Sequence, residues 1–174
     1  PKTGKLSASA DDYIAELIAE RACLTPNFFT ERPQSKDMEH GTNTEPEARR
    51  FYEMDRGATV RQVGFVMDDE GRFGGSPDGL VGDDGGLELK CPQLKTQVKY
   101  VLDGGLPDIY KPQVHGHLIV TKRPWWDFMS YAPGLDPLIV RVVPDGFTRE
   151  LRIALEQFWT KYQDTLKRIT GGRP

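Results

Sequence analysis

The chain has 174 residues, 37% hydrophobic and 28% charged, a globular mixture long enough to bury a core without disulfide staples. No apolar run approaches the roughly 20 residues of a membrane span, and no basic-then-apolar leader opens the chain. The net charge of -3 excludes a simple basic DNA-coating protein, and two cysteines, Cys23 and Cys91, argue for a reducing cytosol. Neither cysteine shows C-x-x-C or Cys/His spacing, so zinc is not expected and both read as small buried hydrophobes.

A first helix is expected over 11–23, with Tyr13, Leu17, Ile18 and Ala22 on one apolar stripe. Pro26 and Pro33 interrupt the chain after it. A second helix is expected over 36–56, stopped by Gly57, with a restart at the internal Pro46. The period then changes to two. Strands are expected over 60–67, over 72–75, interrupted at Ser76-Pro77-Asp78-Gly79 and carried on by Leu80 and Val81, and over 87–91. Turns at Asp68-Asp69-Glu70-Gly71 and Asp83-Asp84-Gly85-Gly86 would join them as an antiparallel meander. Helices over 95–102 and 108–121, strands over 125–131 and 138–143, and a long amphipathic helix over 147–169 complete the chain. This order implies one domain over 1–174, an α/β fold with a mixed central sheet flanked by helices. It leaves room for a short N-terminal segment ahead of Pro1.

Chemistry concentrates in Gly75-Ser76-Pro77-Asp78-Gly79-Leu80 and Gly86-Leu87-Glu88-Leu89-Lys90-Cys91-Pro92. Asp78 and Glu88 stand on consecutive strands joined by a tight turn, so cross-strand pairing brings them together. Alternation puts Glu88 and Lys90 on one face and Leu89 on the other. Two carboxylates and the Leu89 carbonyl form a hard all-oxygen set suited to Mg²⁺. Lys90 beside them would orient an attacking water or balance charge on a phosphorus centre. Alone, a D-x-G turn is usually a hairpin tip and an E-x-K pair a surface ion pair. Their conjunction ten positions apart, with Pro77 shaping the turn, points to a catalytic site that would hold a metal and suit phosphodiester cleavage.

These residues resemble the PD-(D/E)xK nuclease superfamily, and S-P-D-G-L with G-L-E-L-K-C-P resembles the phage lambda-type (YqaJ-like) alkaline exonucleases. Thr44 to Glu53, Pro112 to Leu118 and Trp125 to Pro133 are similar to that family's helix motif, glutamine helix and the strand after it. The resemblance implies a restriction-endonuclease-like core. It assigns Asp78 and Glu88 as metal carboxylates, Leu89 as carbonyl donor, Lys90 as catalytic lysine, Glu45 as an acid acting through metal-bound water, and Gln113 as a polar auxiliary. It also implies one or two Mg²⁺ ions, with Mn²⁺ as a substitute, and a homotrimer that digests one strand of duplex DNA from its 5′ end. The 3′ overhangs left behind would serve phage recombination, with a single-strand annealing protein as partner, in the cytoplasm of a bacterial host. Gly4-Lys5-Leu6-Ser7-Ala8-Ser9 only loosely echoes the family's Arg-x-Gly-x-Ile-Thr-Ala-Ser segment, which leaves the arginine for the 5′ phosphate unassigned.

Three rivals remain. An endonuclease or junction-cleaving enzyme shares the core motif and differs only in its products. A non-cutting DNA-binding subunit is disfavoured by the complete Asp78, Glu88, Lys90 set. A carboxylate-pair glycosidase has no part for Lys90. Among weaker candidates, Glu45 before Pro46 reads equally as a helix N-terminal acid, and Arg49 as its ion-pair partner. His115 and His117 point about 200° apart on a helix and should not share a metal. Trp125, Trp126, Phe128 and Tyr131 read as core or interface before base-stacking platforms. Lys95, Lys99 and Lys111 read as a solvated face or a DNA path.

Overall fold

The computed structural model describes residues 6–7, 9–22 and 36–171. Cys23, and Gly4, Lys5 and Ala8 of the loose N-terminal echo, lie outside them. The chain divides into two compact units, residues 34–148 and residues 1–33 with 149–174.

The 34–148 unit is built on a five-stranded sheet in the order β1-β4-β5-β6-β7. Its strands are β1 (Val60–Arg61), β4 (Gly79–Val81), β5 (Gly85–Lys90), β6 (Trp125–Ser130) and β7 (Leu138–Val142). Every pairing is antiparallel except β5–β6, which is parallel with Glu88 opposite Phe128. A parallel pair needs a long crossover. Here α3 (Leu94–Asp103), a 3-10 turn at Asp108–Tyr110 and α4 (Lys111–Thr121) supply it. On one face Ala48 and Tyr52 of α2 (Lys36–Arg56) pack on Val60, Val81, Leu87, Leu89 and Met129. On the other, Val114 and Leu118 of α4 pack on Leu80, Trp126, Phe128 and Val142. The expected mixed α/β sandwich is therefore present, with apolar packing on both faces.

Three local expectations are corrected. Helix α2 runs through Pro46 without restarting, so Glu45 lies within a continuous helix and not at an N-terminus. One proline costs a helix a single backbone hydrogen bond, and α2 has twenty other residues to carry it. The 60–67 run breaks in two. Only β1 joins the main sheet, while β2 (Val66–Met67) and β3 (Gly74–Gly75) form their own hairpin. The hairpin turn is closed by the Asp68 carboxylate, which accepts from the Arg72 and Phe73 amides at 2.6 and 3.1 Å. Pro77 has no N–H for a ladder, so the chain leaves β3 before β4 begins. Gly85 and Gly86, expected in a turn, open β5 instead. A Cβ at either would meet the Trp125 or Trp126 ring within 2.0 or 2.2 Å, so only glycine lets these indoles lie on the strand.

In the other unit, α1 (Ala10–Ala22) and α5 (Gly146–Thr170) share a core of Ile14, Ile18 and Tyr162 with Leu17, Phe158 and Leu166 at its edge. The α1 stripe is turned by one residue from expectation. Ile14 and Ile18, four apart, are buried, and Tyr13 is half exposed against Phe158. Among the described residues no helix is long and apolar enough to cross a membrane.

Candidate active site

The register of β4 and β5 builds the site. Gly79 pairs with Leu87, so Glu88, Leu89 and Lys90 run beyond the end of the β4 ladder. Asp78, the residue just before β4, takes the vacated place: its Oδ2 accepts the Leu89 N–H at 2.6 Å. In a strand the N–H and C=O of one residue face the same neighbour, so the Leu89 carbonyl lies on Asp78's side. The Leu89 side chain is buried in the α2-side core, as alternation required.

Glu88 and Lys90 share the opposite face and form an ion pair between Oε1 and Nζ. Glu88 is 1% exposed. Its Oε2 stands 3.2 Å from His117 Nε2, and neither atom completes a hydrogen bond. The Lys90 ammonium also sits 5.3 Å over the Tyr110 ring. Glu45 reaches the site from α2 and is ion-paired to Arg49 one turn later. Gln62, its amide oxygen turned to Arg49, accepts from both terminal nitrogens at 3.0 and 3.1 Å.

Glu45, Asp78, Leu89, Lys90, Cys91 and Tyr110 line one cavity of about 510 Å³. Its electrostatics are unbalanced. Burial, then the Glu88 and Glu45 charges, push the Asp78 carboxyl up to about 6, against the pull of the Leu89 N–H and Lys90. Burial and the same Glu45 and Asp78 carboxylates push the Cys91 thiol up to about 11. A buried carboxylate oxygen without a partner and a neighbour driven toward its neutral form mark excess negative charge, which suits a hard divalent cation. Among the described residues no three His, Cys, Asp or Glu side chains form a metal cage by themselves. A cation here would need the Leu89 carbonyl or water beside the carboxylates.

Gln113 is exposed and does not line the cavity. It stands one helical turn before His117 on the same side of α4. The two histidines diverge as expected: His115 Nδ1 lies 2.7 Å from Thr148 Oγ1, while His117 turns to Glu88. Trp126 and Phe128 are core, Trp125 carries the Arg141 guanidinium at 3.7 Å, and Lys111 pairs with Asp108 at 2.6 Å. Lys95 and Lys99 are exposed. Sequence reasoning missed His117, Tyr110 and Cys91 as neighbours of the site. The four-residue step from Gln113 to His117 was the available signal for the histidine.

The YqaJ-like viral recombinase domain profile matches residues 3–124, a span that holds Glu45, Asp78, Glu88, Lys90 and His117. This chain belongs to that family and is a deoxyribonuclease. Among solved structures, the family member superposes on the alkaline exonuclease LHK-Exo of Laribacter hongkongensis with a TM-score of 0.80 and 30% identity. That superposition covers 97% of this chain and 92% of that one. LHK-Exo in complex with dAMP matches at TM-score 0.79 and 31% identity, over 95% and 87% of the two chains. A phage-related exonuclease of Haemophilus somnus 129PT shares the fold at TM-score 0.65 and 14% identity, over 95% and 86%. No curated protein sequence matches.

Proposed function

We propose that this deoxyribonuclease is a Mg²⁺-dependent exonuclease that digests one strand of linear duplex DNA, from 5′ to 3′, and leaves 3′ single-stranded overhangs for phage-type recombination. The observation that carries this reading is Asp78, Leu89 and Lys90 lining one cavity, with Glu88 buried and ion-paired to Lys90, in a chain similar over 97% of its length to an alkaline exonuclease. The same coverage supports reading residues 1–174 as one nuclease domain.

In this mechanism Asp78 and Glu88 would hold the cation with the Leu89 carbonyl, and Glu45 would act on the same charge from α2 through water. The cation supplies Lewis-acid charge to the scissile phosphate and its attacking water. Mg²⁺, one or two ions, fits an all-oxygen donor set, and Mn²⁺ would substitute. The Lys90 ammonium, held between Glu88 and the Tyr110 face, orients the water and takes up charge in the transition state. Gln113 serves as a polar auxiliary from the exposed start of α4. Attack is in line and in one step, without a covalent enzyme intermediate. The enzyme works in the bacterial cytoplasm as a homotrimer that passes its overhang to a single-strand annealing protein.

The test is digestion of linear duplex labelled at the 5′ or the 3′ end, with Mg²⁺ or EDTA, beside a closed circle and an Asp78→Ala protein. Mg²⁺-dependent release of 5′-labelled mononucleotides, with the circle intact and the variant inactive, is expected. A cut circle would instead make the chain an endonuclease of the same superfamily.

A further inference from the structure

We propose that His117 is a positioning residue for the metal site: its imidazole donates from Nε2 to Glu88 Oε2 and fixes the carboxylate that holds the cation. The inference rests on the reading of Glu88 as a metal carboxylate.

Three features build the imidazole's seat. Its ring stacks on Trp126 with centroids 5.0 Å apart and planes 21° from parallel. The indole in turn needs Gly86 beneath it. On the other side the β3 backbone presses close: a Cβ on Gly75 would lie 2.9 Å from His117 Cε1 and 3.2 Å from Nδ1. Two glycines and a tryptophan thus leave the ring one slot, 4% exposed, with Nε2 aimed at Glu88.

That aim has a chemical consequence. Nε2 and Oε2 are both buried and stand 3.2 Å apart, and neither completes a hydrogen bond. Leaving either unpaired would cost about 1–3 kcal/mol, so a small rotation that closes the bond is favoured. A carboxylate only accepts, so a ring that bonds it carries a proton on Nε2. Glu88 Oε1 is already held by Lys90. Once that bond closes, both oxygens are tied and the carboxylate plane is locked. Outer partners of this kind typically hold about 10–100-fold in metal affinity.

The test measures Mn²⁺ binding by titration against thermal unfolding, with the Mg²⁺ half-saturation of DNA cleavage beside it. His117→Phe keeps the stacked ring and removes the donor, and should weaken Mn²⁺ binding about 10–100-fold. His117→Gln keeps a donor and should recover most of it. Gly75→Ala leaves the histidine in place but pushes it off its seat. It should weaken binding comparably, with no further loss in the Gly75→Ala/His117→Phe double variant. If His117→Phe folds poorly, Gly75→Ala and His117→Gln decide the matter without it. Wild-type Mn²⁺ affinity and Mg²⁺ half-saturation in both His117→Phe and Gly75→Ala would overturn the proposal, as would strictly additive losses. A wild-type protein that binds Mn²⁺ and cuts while these variants match it defeats only His117. A wild-type protein that binds no Mn²⁺ defeats the metal-site reading itself, and His117 with it.

Discussion

Two carboxylates on neighbouring strands are equally hidden from water and have opposite surroundings. Asp127 on β6 and Glu88 on β5 are each 1% exposed, one facing α2 and the other α4. Asp127 is saturated: it accepts from the Tyr52 hydroxyl at 2.8 Å and from Arg141 Nε and Nη2 at 2.8 and 2.9 Å. Glu88 has one cation on one oxygen, and its other oxygen faces only His117 Nε2 at 3.2 Å, with no completed hydrogen bond. Burial therefore does not separate a structural carboxylate from a functional one. Unmet hydrogen-bonding capacity does, because a folded chain leaves a buried charge incomplete only where something else completes it.

The largest effect that would break this comparison is on cleavage. Glu88→Gln keeps the shape and removes the charge. It should lower the cleavage rate about 10³-fold, the scale of losing a main electrostatic contact in a transition state. Thermal unfolding of the same variant should show no loss of stability. Asp127→Ala should do the reverse. It strands Arg141 and Tyr52 and should cost about 3–5 kcal/mol in urea unfolding, while the rate per folded molecule stays near wild type. If both variants lose stability equally, the distinction between the two carboxylates fails.

A smaller effect sits in the pH dependence of stability. The Asp78 carboxyl is raised from 3.8 to about 6 in the fold, so the folded state binds the proton more tightly than the unfolded chain. Stability is then highest below the unfolded value and falls as pH climbs through about 6, by on the order of 2–3 kcal/mol. Asp78→Asn should flatten that slope and unfold at higher temperature than wild type above pH 6 when divalent ions are chelated. Adding Mg²⁺ or Mn²⁺ should raise the melting temperature of wild type and leave the asparagine variant unmoved. A wild-type protein whose stability is level from pH 4 to 7 would show that Asp78 feels no excess charge.

The legible parts of this molecule were those set by neighbours in the chain. Helix α2 was bounded by Gly57, the α4 and α5 segments by their apolar spacing, and Asp78, Glu88 and Lys90 by strand alternation across one short turn. What stayed hidden depended on partners far along the chain. Gly85 and Gly86 read as turn residues until the Trp125 and Trp126 rings, some forty positions on, are laid over them. The β2–β3 hairpin looked continuous with the main sheet because Ser76-Pro77-Asp78-Gly79 reads locally as a break within one strand as readily as the end of its pairing. His117 looked like one of two diverging helix histidines. Its role rests on Gly75 and Glu88, which the crossover through α3 and α4 brings beside it.

The smallest effect reads the field of the site through a bystander. The Cys91 thiol comes directly after Lys90 and is pushed up to about 11 by burial and by the Glu45 and Asp78 carboxylates. Only the thiolate is alkylated, so at pH 8 its reaction with iodoacetamide should be about 100-fold slower than that of an ordinary cysteine. Mass spectrometry of the peptide holding Cys91 measures this separately from Cys23. Neutralising the carboxylates should lower that thiol again, so both Asp78→Asn and saturating Mg²⁺ should speed labelling several-fold. Burial alone would leave the rate unchanged by either treatment. A rate that answers to Asp78→Asn but not to Mg²⁺ would mean that the charge is there but the cation is held elsewhere, and the set built on Asp78, Glu88 and the Leu89 carbonyl would have to be redrawn.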